Sequence, residues 1–176
     1  TGAPATGTNN IYVIHRGGGS TGNLPPEDLG ERNYIFGGEV RTSSLGTSNL
    51  RLGVNAGDSI TSGGNYNVVL GDEAGTAITT GDNNTAVGYN ALITEDAHGY
   101  NVAIGAESLK TLNAGGDSYS TGVGYQAGTF QTTGLYNTFI GAQAGRGDTT
   151  GGLNVGVGNG ALYTNQVGSK SVAVGY

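Results

Sequence analysis

The chain contains no cysteine, methionine or tryptophan, only three prolines, and charged residues at just 11% of its 176 positions. Without cysteine there is neither a disulfide framework nor a thiolate metal site. The absence of methionine, at position 1 as elsewhere, makes a piece of a longer chain the expectation. No apolar run approaches the ~18 residues that a membrane-spanning helix needs, so membrane insertion is not expected. Basic residues are scarce as well: seven Lys and Arg stand against thirteen Asp and Glu, for a net charge of -6. Nucleic acid is bound through basic patches, so it is not an expected partner. What the chain has in excess is glycine, 36 residues of it. These follow no G-X-Y period, which excludes a collagen-like helix. Valine and isoleucine recur in a fixed register, which argues against disorder.

That register is the organising feature. The unit Asn101-Val102-Ala103-Ile104-Gly105 returns nine times, closing at Gly37, Gly53, Gly71, Gly88, Gly105, Gly124, Gly141, Gly158 and Gly175. The steps between these glycines are 16, 18, 17, 17, 19, 17, 17 and 17 residues. Self-similarity at so constant a period predicts a solenoid in which each repeat is one coil. Residues 1–32 stand outside it. They hold all three prolines and the Gly17-Gly18-Gly19-Ser20 loop signal, and read as an irregular N-terminal cap or joint. Residues 33–176 are the repeats.

Each unit reads as a short strand ended by glycine, and no 3.6-residue period supports a helix. Alternation puts the first and third residues on one face and the second on the other. The third is always large: Leu52, Leu70, Val87, Ile104, Val123, Ile140, Val157 and Val174 are the expected coil core. The second is mostly small, and Ala86, Ala103, Gly122, Phe139, Gly156 and Ala173 are expected to face a neighbouring chain. Arg51 and Phe139 are the awkward members of that column. Past the glycine, an Ala or Ser three residues on is expected to turn inward. The polar anchor, usually Asn, is expected to stack into a ladder along the rod. Loops of the Thr79-Thr80-Gly81 type absorb the variation in repeat length. So thin a coil leaves apolar surface uncovered, and a homotrimer about a shared axis would bury it.

The residues Asn84-Thr85-Ala86-Val87-Gly88-Tyr89-Asn90-Ala91-Leu92 and Ser171-Val172-Ala173-Val174-Gly175 resemble the YadA-like head repeat of trimeric autotransporter adhesins. The 17-residue form with Thr-Thr-Gly loops is similar to repeats of phage tail fibres. The resemblance covers residues 33–176. It implies an all-β, left-handed parallel β-roll of about nine coils, assembled as a homotrimeric fibre. It also implies an extracellular, non-enzymatic role as shaft or head of a phage tail fibre that contacts the host surface. The alternative it leaves open is the head of a bacterial adhesin on the cell surface. Neighbouring fibre segments and a cell-surface glycan or protein receptor are the partners implied.

No catalytic constellation, cofactor site or metal site is expected from the residues. His15 and His98 are far apart and read as loop histidines. Asp58, Asp82, Asp117 and Asp148 stand at unequal distances from their next anchors and form no calcium ladder. A fibre-borne polysaccharide depolymerase would need paired carboxylates in a groove, whereas the acidic residues here are scattered. The tyrosines form the one suggestive set. Tyr66, Tyr100, Tyr119 and Tyr136 precede anchors, while Tyr89, Tyr125 and Tyr176 follow closing glycines. Stacked coils would align them into two aromatic columns, which either stiffen the rod by self-stacking or bind a surface such as a glycan.

Overall fold

A computed structural model describes residues 46–176. The expected cap over 1–32 and the first repeat, closing at Gly37, lie outside the described residues. From there the chain is a parallel β-solenoid. Eight three-residue strands, β1 (Leu50–Leu52), β2 (Val68–Leu70), β3 (Thr85–Val87), β4 (Val102–Ile104), β5 (Thr121–Val123), β6 (Thr138–Ile140), β7 (Val155–Val157) and β8 (Val172–Val174), form one sheet in sequence order. Every pairing is parallel and in register, so that Thr85, Val102 and Thr121 align, as do Val87, Ile104 and Val123. Among the described residues there is no helix. Eight rungs at ~4.8 Å make a rod of roughly 34 Å.

The strands are short because glycine ends each of them at a backbone angle closed to other residues. Gly53 to Gly175 all sit at φ between +125° and +134° in the repeat position, and each from Gly53 to Gly158 rests against the next glycine of the column. A Cβ on Gly105 would stand 2.6 Å from the Gly124 carbonyl carbon. The column is therefore a backbone-on-backbone seam that only glycine can line.

The anchors form a ladder, but one of side chain to backbone rather than amide to amide. Asn67 N donates to Asn49 Oδ1 at 2.8 Å, Asn84 N to Asn67 Oδ1 at 2.8 Å, and Asn101 N to Asn84 Oδ1 at 3.1 Å. The side-chain amides of Asn49, Asn67, Asn84, Asn137 and Asn154 then reach a loop carbonyl, as Asn67 Nδ2 does to Gly81 O at 2.8 Å, whereas Asn101 Nδ2 reaches none. One asparagine thus satisfies the next coil's N–H and its own loop's C=O, both of which are buried. Where Ser120 replaces Asn, Gln131 supplies the missing amide. Its Nε2 donates to Ser120 Oγ at 2.9 Å and to Gly134 O at 2.7 Å.

The strand faces are the reverse of the sequence expectation. Val69, Ala86, Ala103 and Phe139 are fully buried inside the coil, whereas Leu52, Ile104, Ile140 and Val174 are 54%, 39%, 42% and 77% exposed. Leu70, Val87, Val123 and Val157 are only partly covered. The expected core therefore faces outward. The column expected to meet another chain instead lines the interior: a Cβ on Gly122 would meet Ser108 and Leu109, and one on Gly156 would meet Phe139 and Leu162. Ala173, at the last rung, is partly buried.

The physical reason lies in the turn after each glycine. That turn brings its own side chain into the coil, four residues past the glycine, and leaves room for one strand residue whose size must complement it. Ala86 and Ala103 share their coils with Leu92 and Leu109, all fully buried. Val69 and Phe139 share theirs with Gly75 and Gly145, where a Cβ would strike them. Phe139 is moreover flanked in the sheet by Gly122 and Gly156. Leu92, Leu109 and Leu162 adopt φ of +46° to +57°, the same left-handed conformation as Gly57, Gly75, Gly128 and Gly145. Burial offsets the ~1 kcal/mol that such a conformation costs a leucine. The inward Ala or Ser is as expected: Ala74, Ala91, Ser108, Ala127 and Ala144 are fully buried.

Candidate functional site

The outer face of the sheet is a uniform surface feature. Its first and third positions carry only Leu, Val, Ile and Thr from Leu50 to Val174. No charged residue interrupts the two columns, and four of the eight third-position residues are exposed outright. A contiguous apolar stripe of this kind is the sort of surface through which proteins interact.

The tyrosine columns differ from each other. Tyr100, Tyr119 and Tyr136 stack, with ring centroids 4.9 and 5.5 Å apart and planes within 14° and 6° of parallel. All three are held at positive φ, which sets the same side-chain direction in each coil. Tyr119 is stacked on both faces, and Tyr100 and Tyr136 on one face each. Packing among the rings and the nearby Asp117 carboxylate raise the Tyr119 pKa, with desolvation the larger cause. Tyr66, exposed, is separated from this stack by Asn83, and Tyr89 from Tyr125 by Ala106. Both members of that second column are exposed, as is Tyr176.

A cluster that sequence reasoning missed surrounds Arg146. Its guanidinium lies 4.7 Å from the Phe130 ring centroid and 5.5 Å from that of Tyr163. Nη1 donates to the Tyr163 hydroxyl at 3.0 Å, and Nε to Gln126 Oε1 at 3.1 Å. Gln126 in turn donates to Glu107 Oε2 at 2.7 Å, and Lys110 Nζ to Glu107 Oε1 at 2.8 Å. Hydrogen bonds first from Lys110 and then from Gln126 hold the Glu107 carboxyl below its ordinary pKa. Nothing in any single repeat announces this patch, since its members come from four coils.

A second missed feature lies seven residues past each closing glycine, at an inner corner of the coil. The column there reads Ile60, Ile78, Glu95, Leu112, Gln131 and Asp148, all buried, and ends on the half-buried Asn165. Three of the buried polar atoms without a hydrogen-bond partner belong to it: Glu95 Oε2, Gln131 Oε1 and Asp148 Oδ1. Glu95 Oε1 lies 3.2 Å from His98 Nδ1 and accepts from His98 N at 3.3 Å. Desolvation raises the Glu95 pKa, opposed by the approaching Ala114 N–H and by His98.

Among the described residues no cation pairs with Asp148. Its Oδ2 accepts from Asn154 Nδ2 at 2.8 Å. Burial nevertheless lifts its pKa from 3.8 to about 6, against the opposing Asn154 amide and Gly151 N–H. A carboxyl whose folded pKa is raised binds its proton more tightly in the native state. Stability is therefore greatest below pH 3.8 as far as this group is concerned, falls as pH rises towards about 6, and is level above. At pH 7 the cost is at most about 3 kcal/mol, from about two pKa units at 1.36 kcal/mol each. Asp148→Asn keeps the shape and gives Oδ1's place a neutral occupant. It is expected to raise the melting temperature at pH 7 by a few degrees and to change it little at pH 4. Thermal melts of both proteins at the two pH values check this.

Compared with known proteins, the chain is similar to no family model, no curated protein and no solved structure at a level that carries an argument.

Proposed function

We propose that this chain is a structural and adhesive segment, shaft or head, of a homotrimeric phage tail fibre that contacts the host cell surface. The observation that carries the reading is the unbroken outward stripe of Leu, Val, Ile and Thr on the sheet. Three rods packed about a common axis would cover three such stripes at once, in a closed cyclic assembly that leaves no further stripe to add a copy. The trimer contact thus moves from the small second position to the large first and third positions. The in-register strands, the asparagine ladder and the Tyr100–Tyr119–Tyr136 stack all favour stiffness along the rod, as a fibre requires. Tyr66, Tyr89 and Tyr125 keep exposed aromatic surface for a receptor such as a glycan.

The test is molar mass by light scattering. The chain is expected to weigh as three copies. Ile104→Asp would bring three carboxylates into the dry contact, and is expected to give monomers that keep the β circular dichroism spectrum, since the side chain points away from the coil interior. A monomeric parent chain, or an Ile104→Asp variant that stays trimeric, would overturn the arrangement.

A further inference from the structure

We infer that Glu95, Asp96 and His98 form a binding site for a divalent transition-metal cation, with Zn2+ the best fit. The three residues fall within one loop, and a donor atom from each lies within 4.8 Å of the others. His98 Nδ1 is 3.2 Å from Glu95 Oε1 and 4.0 Å from Asp96 Oδ1. A tetrahedral ion with bonds of ~2.0–2.2 Å sets its donors about 3.4 Å apart. One contact already has that spacing. Asp96 supplies the other: its side chain is about half exposed, and its Oδ1, which accepts from Ala97 N, lies on the side of the imidazole. One imidazole and two carboxylates suit zinc or its neighbours better than calcium, which takes six or more oxygens. The His98 ring is about a quarter exposed, so an ion can enter from solvent and keep water in its remaining position.

The second observation is independent of that spacing. The Glu95 side chain is fully buried, and its Oε2 closes no hydrogen bond. The residues in the same place one coil before and one coil after, Ile78 and Leu112, are fully buried and apolar. A carboxylate set between two aliphatic rungs is costly unless a cation answers it. The other polar members of this column are served differently: Gln131 spans Ser120 and Gly134, and Asp148 takes the Asn154 amide. Only the Glu95 coil carries an acid at the next position and a histidine two further on. The sequence expectation of no metal site is thereby set aside for this loop. The inference does not depend on the trimer, because all three donors come from one loop of one chain.

The full chain, stripped with a chelator, would be titrated with ZnCl2 at pH 7.5 by calorimetry, and with CoCl2 by absorption. One Zn2+ per chain is expected, with a higher melting temperature and cobalt bands of tetrahedral intensity. Asp96→Asn, at a half-exposed side chain, is expected to lose binding while keeping the parent's fold and metal-free melting temperature, and His98→Ala is expected to lose binding while keeping the fold. Glu95→Gln is expected to lose it too, and His15→Ala to retain it. Absence of binding, a melting temperature unmoved by Zn2+, binding that survives His98→Ala, or binding lost in His15→Ala would each overturn the assignment.

Discussion

Gly105→Ala is expected to lower the melting temperature of the rod by roughly 6–12 °C, the shift that about 3 kcal/mol produces in a chain of this size. Two costs combine. At φ +125° an alanine is held where L residues are strained by about 1–3 kcal/mol. Its methyl would also stand 2.6 Å from the Gly124 carbonyl carbon, and backbone cannot rotate away as a side chain can. Relief would require separating two coils, which breaks the β4–β5 pairing and the Gly124 N to Ile104 O hydrogen bond of 2.7 Å. Gly116→Ala is the control. Nothing lies within 4 Å of a Cβ there, and its effect should be within about 0.5 kcal/mol. Thermal melts of the two variants beside the parent decide it. Equal melting temperatures would mean that the glycine column is not a close-packed seam.

The period, the strands and their parallel stacking could be read from spacing alone, because a solenoid writes the same constraint into every coil. The closing glycines and the anchor asparagines were legible for that reason. So was the inward Ala or Ser of the turn, whose smallness recurs as a column. The face of the strand was not. Alternation groups Val102 with Ile104 and sets Ala103 apart, but it is silent on which side is the interior. Size misleads here, since in a three-residue strand the interior is filled from the turn. Leu109 occupies the space that Ile104 was expected to fill. The deciding signal was present in the sequence as a pairing across six residues. Ala86 goes with Leu92 and Ala103 with Leu109, whereas Val69 goes with Gly75 and Phe139 with Gly145. Phe139, an exception under the outward reading, is the clearest case under the inward one. The Glu95 loop and the Arg146 cluster stayed hidden because each breaks the repeat, and what happens once leaves no period.

Phe139→Ala is expected to cost about 3–5 kcal/mol, the range for emptying a buried aromatic site, and Gly145→Leu should give much of it back. Phe139 is fully buried and the largest such side chain among the described residues. Its strand neighbours Gly122 and Gly156 have no side chains with which to close the void. Gly145→Leu alone is expected to be destabilising too, since a Cβ there would lie 2.5 Å from Phe139 Cγ. Together the two changes recreate the pairing that the chain already uses at Ala103 and Leu109. Backbone conformation does not forbid it: Gly145 has φ +59°, and Leu162 holds φ +57° in the next coil. The double variant should therefore be more stable than either single one, with a coupling energy of at least about 2 kcal/mol, towards the upper end for residues in direct contact. Chemical denaturation of the four proteins measures it. If the two losses simply add, the strand and the turn are not sharing one space, and the complementarity that sorts inward from outward faces is wrong.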